Sequence, residues 1–156
     1  MSKQEIASPT VLMESVFLTA TIEASEEREV AVVDIPNAFI QTPHQREQVL
    51  MKVKGELAAI LASIQQEAYQ DYITQERGVP VIYLEILKAI YGMIESPMLF
   101  YKKLRNDLEE NGFKINPYDL CVTKKQKKIV KGKQLTVTWH VDDLKISHKS
   151  KDQEQV

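Results

Sequence analysis

The sequence predicts an α+β fold, because strand-like runs and helix-like segments are mixed along the 156-residue chain. The β-branched run VAVVDI, at residues 30 to 35, has the composition and length of a strand. Residues 97 to 111 have a helical apolar repeat between a Ser-Pro pair and a glycine, which is the pattern of a capped helix. The runs DLCVTKK and LTVTWHV flank a lysine-rich stretch, which predicts a hairpin.

The remaining segments predict two more helices and two more strands. A Ser-Pro pair predicts a capped helix over residues 9 to 25. QVLMKVK, at residues 48 to 54, alternates like a strand, and residues 56 to 76 are good helix formers with an apolar stripe. VIYLEIL fits either a strand or the start of a helix, because periodicity does not separate short apolar runs. LKISH predicts the last strand.

Composition and charge are those of one ordinary globular domain, which we expect to span residues 1 to 156, with its core at about 8 to 150 and a polar tail at 149 to 156. The 20 basic and 22 acidic side chains leave a net charge of −2, so overall charge gives no reason to expect a nucleic-acid partner. The single cysteine, Cys121, excludes an internal disulfide, and no apolar run approaches the ~20 residues of a membrane span. These features predict a soluble protein in a reducing, intracellular setting.

Two adjacent carboxylates, Asp142 and Asp143, separate the last two predicted strands. Aspartate is common in tight turns, so a pair of turn residues is the simple interpretation. Neighbouring carboxylates repel each other unless a cation or hydrogen bonds compensate, and Mg²⁺ prefers such oxygen ligands while keeping positions open for phosphates. Asp34, which closes the VAVVD run, is the candidate third carboxylate. Its alternative interpretation is a strand-end residue without a metal.

Four segments, in order, resemble the reverse transcriptase of copia-type (Ty1/copia) retrotransposons: VVDIPNAFIQT, LKAIYGMIESPMLFYKKL, NPYDLCV and WHVDDLKIS. That family commonly has an Asp followed by Ala-Phe-Leu, a Leu-Tyr-Gly-Leu segment leading into a helix, an Asp-Pro-Cys-like step, and Tyr-Val-Asp-Asp. The similarity runs from about residue 8 to residue 150. It implies a polymerase palm, an antiparallel sheet backed by helices in a ferredoxin-like, split βαβ arrangement, with fingers and thumb incomplete or absent.

The resemblance implies an RNA-directed DNA polymerase that transfers a nucleotide from a dNTP to a primer 3′ hydroxyl. Asp34, Asp142 and Asp143 would be its catalytic residues and would hold two Mg²⁺ or Mn²⁺ ions about 3.5 to 4 Å apart. The backbone carbonyl of Ile35 would add a metal ligand. The implied partners are an RNA or DNA template-primer, dNTP, and the remaining polyprotein segments (fingers, thumb, ribonuclease H and integrase), with no membrane.

Three further residues match the family's pocket for the incoming nucleotide. Phe39 corresponds to an aromatic steric gate against a ribose 2′ hydroxyl, and the alternative is a core aromatic at a strand end. Tyr91 and Gly92 would line the pocket for nucleotide and template, with the glycine allowing the backbone to come close. Gly92 is otherwise a loop glycine before a helix.

The chain departs from the family pattern in two places. Ile94, Glu95 and Met98 stand where basic and polar residues are common, which removes positive charge that would face phosphates. His140 replaces the usual tyrosine before Val-Asp-Asp. An imidazole can still stack or hydrogen-bond there, and a half-buried strand residue is the alternative.

The lysine-rich stretch is the only concentrated basic patch in the sequence. Phosphate binding needs clustered cations, although clustered cations do not need a phosphate. A solvated hairpin tip is therefore the simpler interpretation. The candidates for nucleic-acid contact are Lys124, Lys125, Lys127 and Lys128, with further lysines at positions 131 and 133.

Three functions stay open on the sequence. The first is the polymerase, which we expect as a fragment of a polyprotein or a truncated element, cytoplasmic or associated with the nucleus, because the family's fingers, thumb and ribonuclease H regions have no counterpart here. The second is a catalytically silent palm remnant that folds or binds nucleic acid without polymerising, which the lost positive charge at Ile94 and Met98 favours. The third is an unrelated interaction domain whose acids are turn residues.

Overall fold

The computed structural model describes residues 7–44, 48–126 and 134–149. Within them the fold is α+β, with antiparallel sheets and helices, as the sequence predicts. Single turns of 3₁₀ helix lie at Phe39–Gln41 and Gln70–Tyr72. In chain order the helices and strands are α1 (Met13–Ser25), β1 (Glu29–Asp34), β2 (Leu50–Lys54), α2 (Glu56–Ile64), α3 (Gln66–Tyr69), β3 (Thr74–Glu76), β4 (Val79–Glu85), α4 (Ser96–Glu110), β5 (Lys114–Ile115), β6 (Val122–Gln126), β7 (Gln134–His140) and β8 (Asp143–His148).

The chain forms two compact units. Unit 1 contains the residues up to Thr42 and those from Ala89 onward, and unit 2 is the intervening segment Pro43–Lys88. All the predicted site residues that the structure describes fall in unit 1. None of the helices in the described ranges has both the length and the apolar character of a membrane span.

Unit 1 is built on a five-stranded sheet in the order β1-β8-β7-β6-β5, with every neighbouring pair antiparallel. The hairpin β6–β7 and the strands β1 and β8 agree with the sequence predictions. Strand residues that face α4, among them Val137, Trp139 and Leu144, join Phe100 and Leu104 of that helix in one buried core. This core fixes which side of the sheet is apolar and leaves alternate residues for the other side.

Helix α4 confirms the prediction of a helix at 97–111, although its first residue is not stabilised in the expected way. Ser96 lies inside the first turn, fully buried, and its hydroxyl donates to the carbonyl of Ile90 at 2.6 Å, so it does not cap the helix. At the other end, Gly112 has φ +81° and donates to Glu109, while Phe113 donates to Leu108. This pair of bonds is the Schellman arrangement that glycine favours.

Helix α1 begins at Met13, four residues after the predicted start, because a buried carboxylate holds the preceding residue. Asp119, only 4 % exposed, accepts the backbone N–H of Leu12 at 2.9 Å through Oδ2. Its other oxygen, Oδ1, accepts the N–H of Cys121 at 2.9 Å. The Ser8 hydroxyl donates to the Pro9 carbonyl and caps nothing. Asp119 therefore connects the start of the chain to the strand β6.

Cys121 is fully buried beside this carboxylate. Burial, followed by the charge of Asp119, raises the pKa of its thiol to about 12. The thiol is therefore neutral at physiological pH and behaves as a small core residue.

Unit 2 contains a three-stranded antiparallel sheet in the order β2-β4-β3, packed on α2 through Val53, Ala58 and Ile82. The prediction of one helix over residues 56–76 is wrong beyond Ile64. Helix formation stops at Gln65, where φ is −132° and ψ is 72°, and after α3 the chain turns into β3. The ambiguous run VIYLEIL is a strand over most of its length.

The hairpin between β3 and β4 explains why residues 74–76 form a strand rather than the end of the predicted helix. Glu76 pairs with Val79, so the loop has two residues, Arg77 and Gly78, with φ of 51° and 78°. Two positive φ values are typical of a type I′ turn, which matches the twist of paired strands. Tertiary pairing with β4 therefore overrides the local helix propensity of residues 74–76.

We expect Asp119→Ala to lower the free energy of unfolding by about 1 to 3 kcal/mol, because the buried N–H of Cys121 loses its acceptor and Leu12 is released. Asp119→Asn retains one acceptor oxygen and should lose less. Urea unfolding measures both values. As a control, Asp107→Ala removes an exposed partner of Lys103 and should change stability by less than about 1 kcal/mol. Equal losses at positions 119 and 107 would contradict this role for Asp119.

Candidate functional site

The predicted acids from distant parts of the sequence lie at one end of the unit 1 sheet. Asp34 is the last residue of β1 and pairs with Asp143, the first residue of β8. One step further, the N–H of Ile35 donates to the carbonyl of Asp142 at 3.1 Å, which continues the pairing into the turn. Backbone pairing of the strands therefore places the three aspartates next to one another, independently of their side-chain conformations.

His140 joins the same end of the sheet from the neighbouring strand. It is the last residue of β7 and pairs with Asp143, which in turn pairs with Asp34. Directly opposite residues of antiparallel strands share a face, with Cβ atoms about 5 Å apart. His140, Asp143 and Asp34 thus form a row across three adjacent strands, and all three are exposed.

The two-residue turn between β7 and β8 has a strained backbone. Val141 has φ +58°, whereas Asp142 does not have a positive φ, and this combination is typical of a type II′ turn. Glycine is the usual residue at that position, and a β-branched residue with positive φ costs on the order of 1 to 3 kcal/mol. Val141 packs against the core of unit 1, which helps to hold it in place. The turn that carries Asp142 therefore has one defined shape.

The three acids have no compensating partner among the described residues. In the described part of the chain, Asp34, Asp142 and Asp143 have no side-chain hydrogen bond and no ion pair. Carboxylates directly opposite each other on paired strands destabilise the pairing. Carboxylate oxygens are the ligands that Mg²⁺ and Mn²⁺ prefer.

Carboxylate oxygens are the type of ligand that a divalent cation takes, but the side chains are not gathered around one point. No group of three or more His, Cys, Asp or Glu side chains within the described ranges is close enough together to hold a metal ion. The fit is therefore one of residue type and backbone register. For Ile35, the structure shows only the N–H bond to Asp142, and its carbonyl stays a predicted ligand.

Phe39 lies in the core, and Tyr91 covers it from the outside. Phe39 is 7 % exposed and contacts the rings of Tyr91, with centroids 4.5 Å apart, and Phe100, at 6.1 Å. Tyr91 is 55 % exposed. Gly92 has φ +94° with open space around its Cα, so its backbone conformation, rather than crowding, requires glycine. The contact of these residues with a nucleotide stays a prediction.

The residues that depart from the family pattern have different surroundings. Met98 packs against the core of unit 1, which accounts for an apolar residue there. Ile94 is exposed, and Glu95 is the N-cap residue of α4. Core packing therefore explains an apolar residue at position 98, whereas nothing in the structure explains the exposed Ile94.

Part of the lysine-rich stretch lies outside the described residues. Lys124 is exposed on β6, and Lys125 lies over the ring of Phe113, with Nζ 5.3 Å from the ring centroid. Lys127 and Lys128, together with the lysines at 131 and 133, fall outside the described ranges. Nucleic-acid contact by this stretch stays a prediction.

Comparison with known proteins gives no match to a family model, to a curated protein or to a solved structure.

One polar cluster beside the acids was not predicted from the sequence. Lys145 lies two residues after Asp143, and its Nζ donates to Glu23 and Thr19 of α1, both at 2.9 Å. The other oxygen of Glu23, Oε1, is buried and has no hydrogen-bond partner in the described part of the chain. A lysine in the middle of a strand was the only available signal, and its partners are 122 and 126 positions away.

We expect Val141→Gly to be more stable than Val141→Ala by roughly 1 kcal/mol, because both lose the valine side chain and only glycine relieves the positive φ. Urea unfolding of the two variants gives the difference. The same two substitutions at Val32, an exposed position in the middle of β1, should show the usual order, with alanine the more stable. An alanine variant at 141 as stable as the glycine variant would contradict the strain at this turn.

Proposed function

We propose that the chain is a palm-like domain of an RNA-directed DNA polymerase of the copia reverse transcriptase type. The observation that carries the proposal is the pairing of Asp34 with Asp143, next to Asp142 in the turn. The sequence resemblance names these three residues as the catalytic acids. Strands β1 and β8 supply the backbone framework that such acids require.

The proposed reaction joins the primer 3′ oxygen to the α-phosphorus of a dNTP and releases pyrophosphate. Three unpaired carboxylates would repel the triphosphate, so the site needs divalent cations before it can accept this substrate. Bound Mg²⁺ or Mn²⁺ would favour ionisation of the 3′ hydroxyl and neutralise the phosphates. In the proposal, Asp34, Asp142 and Asp143 hold the cations at the end of the sheet, and the carbonyl of Ile35 adds a ligand.

The positively charged side chain beside the acids does not replace the cations in neutralising the phosphates. The ammonium group of Lys145 is held by Glu23 and Thr19, so it is not directed at a bound phosphate. His140 stands beside Asp143 and adds a ring nitrogen to the possible donors. Tyr91 presents the accessible aromatic ring of the proposed nucleotide pocket, with Phe39 buried behind it.

A catalytically silent palm remnant is the second candidate. Within the described residues, the acids are not grouped closely enough to hold a metal ion, and the proposed gate Phe39 is in the core. The exposed Ile94 stands where the family has residues that face phosphates. These observations favour a protein that keeps the palm framework without the activity.

Primer extension by the purified full chain, with an RNA template, a DNA primer, dNTP and Mg²⁺ or Mn²⁺, separates the two candidates. We expect extension by the natural sequence and a loss on the order of a hundredfold or more for Asp34→Asn and Asp143→Asn, since cation binding supplies several kcal/mol to such reactions. Asp71→Asn, in unit 2, is the matched control and should retain full activity. Absence of extension by the natural sequence would favour the silent remnant, and extension that survives Asp142→Asn would remove that acid from the mechanism.

Thermal unfolding tests the cation site without any catalysis. In EDTA, Asp34→Asn should raise the melting temperature by on the order of 1 to 4 °C, because it removes a like charge opposite Asp143. Mg²⁺ or Mn²⁺ should then raise the melting temperature of the natural sequence and leave that of Asp34→Asn nearly unchanged. An equal effect of the cation on both proteins would show binding elsewhere and would contradict this assignment.

A further inference from the structure

A cavity of about 540 Å³ lies in unit 1, between α1 and the strands β6, β7 and β8. We infer that it binds a neutral, largely apolar small molecule that carries a hydrogen-bond acceptor such as a carbonyl. Its volume is within the range of about 300 to 1,000 Å³ that is usual for small-molecule sites. The cavity includes Ser147 on β8, four residues from Asp143, or about 13 Å at strand spacing. The inference is independent of the proposed polymerase activity.

Two adjacent hydroxyl groups supply donors on the sheet side of the cavity. Ser147 is 2 % exposed, and its hydroxyl has no hydrogen-bond partner among the described residues. Thr136, its pairing partner on β7, accepts hydrogen bonds from Arg28 at 3.2 Å and from Gln134 at 3.1 Å. A hydroxyl that accepts two bonds still has its own hydrogen to donate. Both hydroxyls can therefore donate a hydrogen bond to an acceptor in the cavity.

Arg28 adds further donors beside these hydroxyls. Its side chain is 8 % exposed, and its Nε and Nη2 atoms bond Glu26 Oε2 at 2.9 and 2.8 Å. With the bond from Nη1 to Thr136, three of the five guanidinium N–H groups are used and two are left. A buried donor without an acceptor costs free energy, so an acceptor on a ligand would recover it.

The charges of the lining favour a neutral molecule. Two acids, Glu23 and Glu26, and two bases, Arg28 and Lys124, line the cavity. Each acid is already paired, Glu23 with Lys145 and Glu26 with Arg28, whose hydrogen bond lowers the pKa of Glu26. The two acids and two bases give the lining no net charge, so a charged molecule gains little there against the cost of leaving water.

The wall opposite the two hydroxyl groups is apolar and would contact the apolar part of the ligand. Leu18 and Ile22 face the cavity from α1, and Ile115 of β5 borders it together with Pro117, which follows that strand. Polar groups that fix orientation against a mainly hydrophobic wall are the usual composition of a small-molecule site. The arrangement therefore selects an apolar molecule with its acceptor directed at Ser147 and Thr136.

Displacement of the neutral dye Nile red from the full chain tests this inference. Benzophenone has a carbonyl, and diphenylmethane has nearly the same shape without one. We expect benzophenone to displace the dye with a dissociation constant roughly fivefold lower than that of diphenylmethane, the value of one ordinary hydrogen bond. In Ser147→Ala this difference should shrink markedly, and Ile22→Trp, which fills the cavity, should abolish displaceable binding.

Phe17→Ala is the matched control, because Phe17 is exposed on the same helix and does not line the cavity. It should bind the dye and both competitors as the natural sequence does. Loss of binding in Phe17→Ala, with binding retained in Ile22→Trp, would place the dye on the outer surface of α1 and overturn the inference. Equal displacement by the two competitors from the natural sequence, or no dye binding at all, would overturn it as well.

Discussion

The antiparallel pairing of β1 with β8 is the constraint on which the rest of unit 1 depends. It brings Glu29–Asp34 beside Asp143–His148, although more than a hundred residues separate the two segments in the chain. A shift of this register by one residue would move every side chain of β1 to the opposite face and separate Asp34 from Asp143. The strand register therefore determines which side chains come together in the candidate site.

The pair of Lys145 with Glu23 supports this register from the helix side. Lys145 pairs with Val32 and lies between the pair of acids and the cavity along β8. Its ion pair with Glu23 connects α1 to the central part of β8. A partly buried ion pair is costly to break, because the remaining partner keeps its charge without compensation. Helix α1, the acids and the cavity thus share one strand, and a change in β8 affects all three.

Much of the fold could be predicted from the sequence, where the decisive interactions are local. Helix α4, the hairpin of β6 and β7, and the strands β1 and β8 follow from periodicity and punctuation by glycine and proline. The errors come from distant partners. The start of α1 depends on Asp119, 107 residues away from Leu12, and residues 74–76, predicted as helix, form a strand because β3 pairs with β4.

In the candidate site, too, the local features could be predicted from the sequence, and the long-range contacts could not. The adjacent acids at 142 and 143 could be found because a polar pair separates two apolar runs. For Asp34, the sequence predicted only that it closes a strand, which was expected to be a neighbour of theirs. The position of His140 beside Asp143 and the pair of Glu23 with Lys145 require the strand order and the packing of α1, which no local pattern contains. The burial of Phe39 likewise depends on Phe100, in a helix 61 residues later.

Strand β1 lies at the edge of its sheet, and Val32 in its centre is 74 % exposed. The described residues place no strand on its outer side, so its outward backbone groups are available for pairing. An open apolar edge invites two copies of a protein to join and aggregate. Full antiparallel overlap of two such edges would set Glu29 of one copy against Asp34 of the other, and these like charges oppose it. The acidic ends of β1 thus disfavour this kind of self-association, and neutralising Asp34 would weaken that effect.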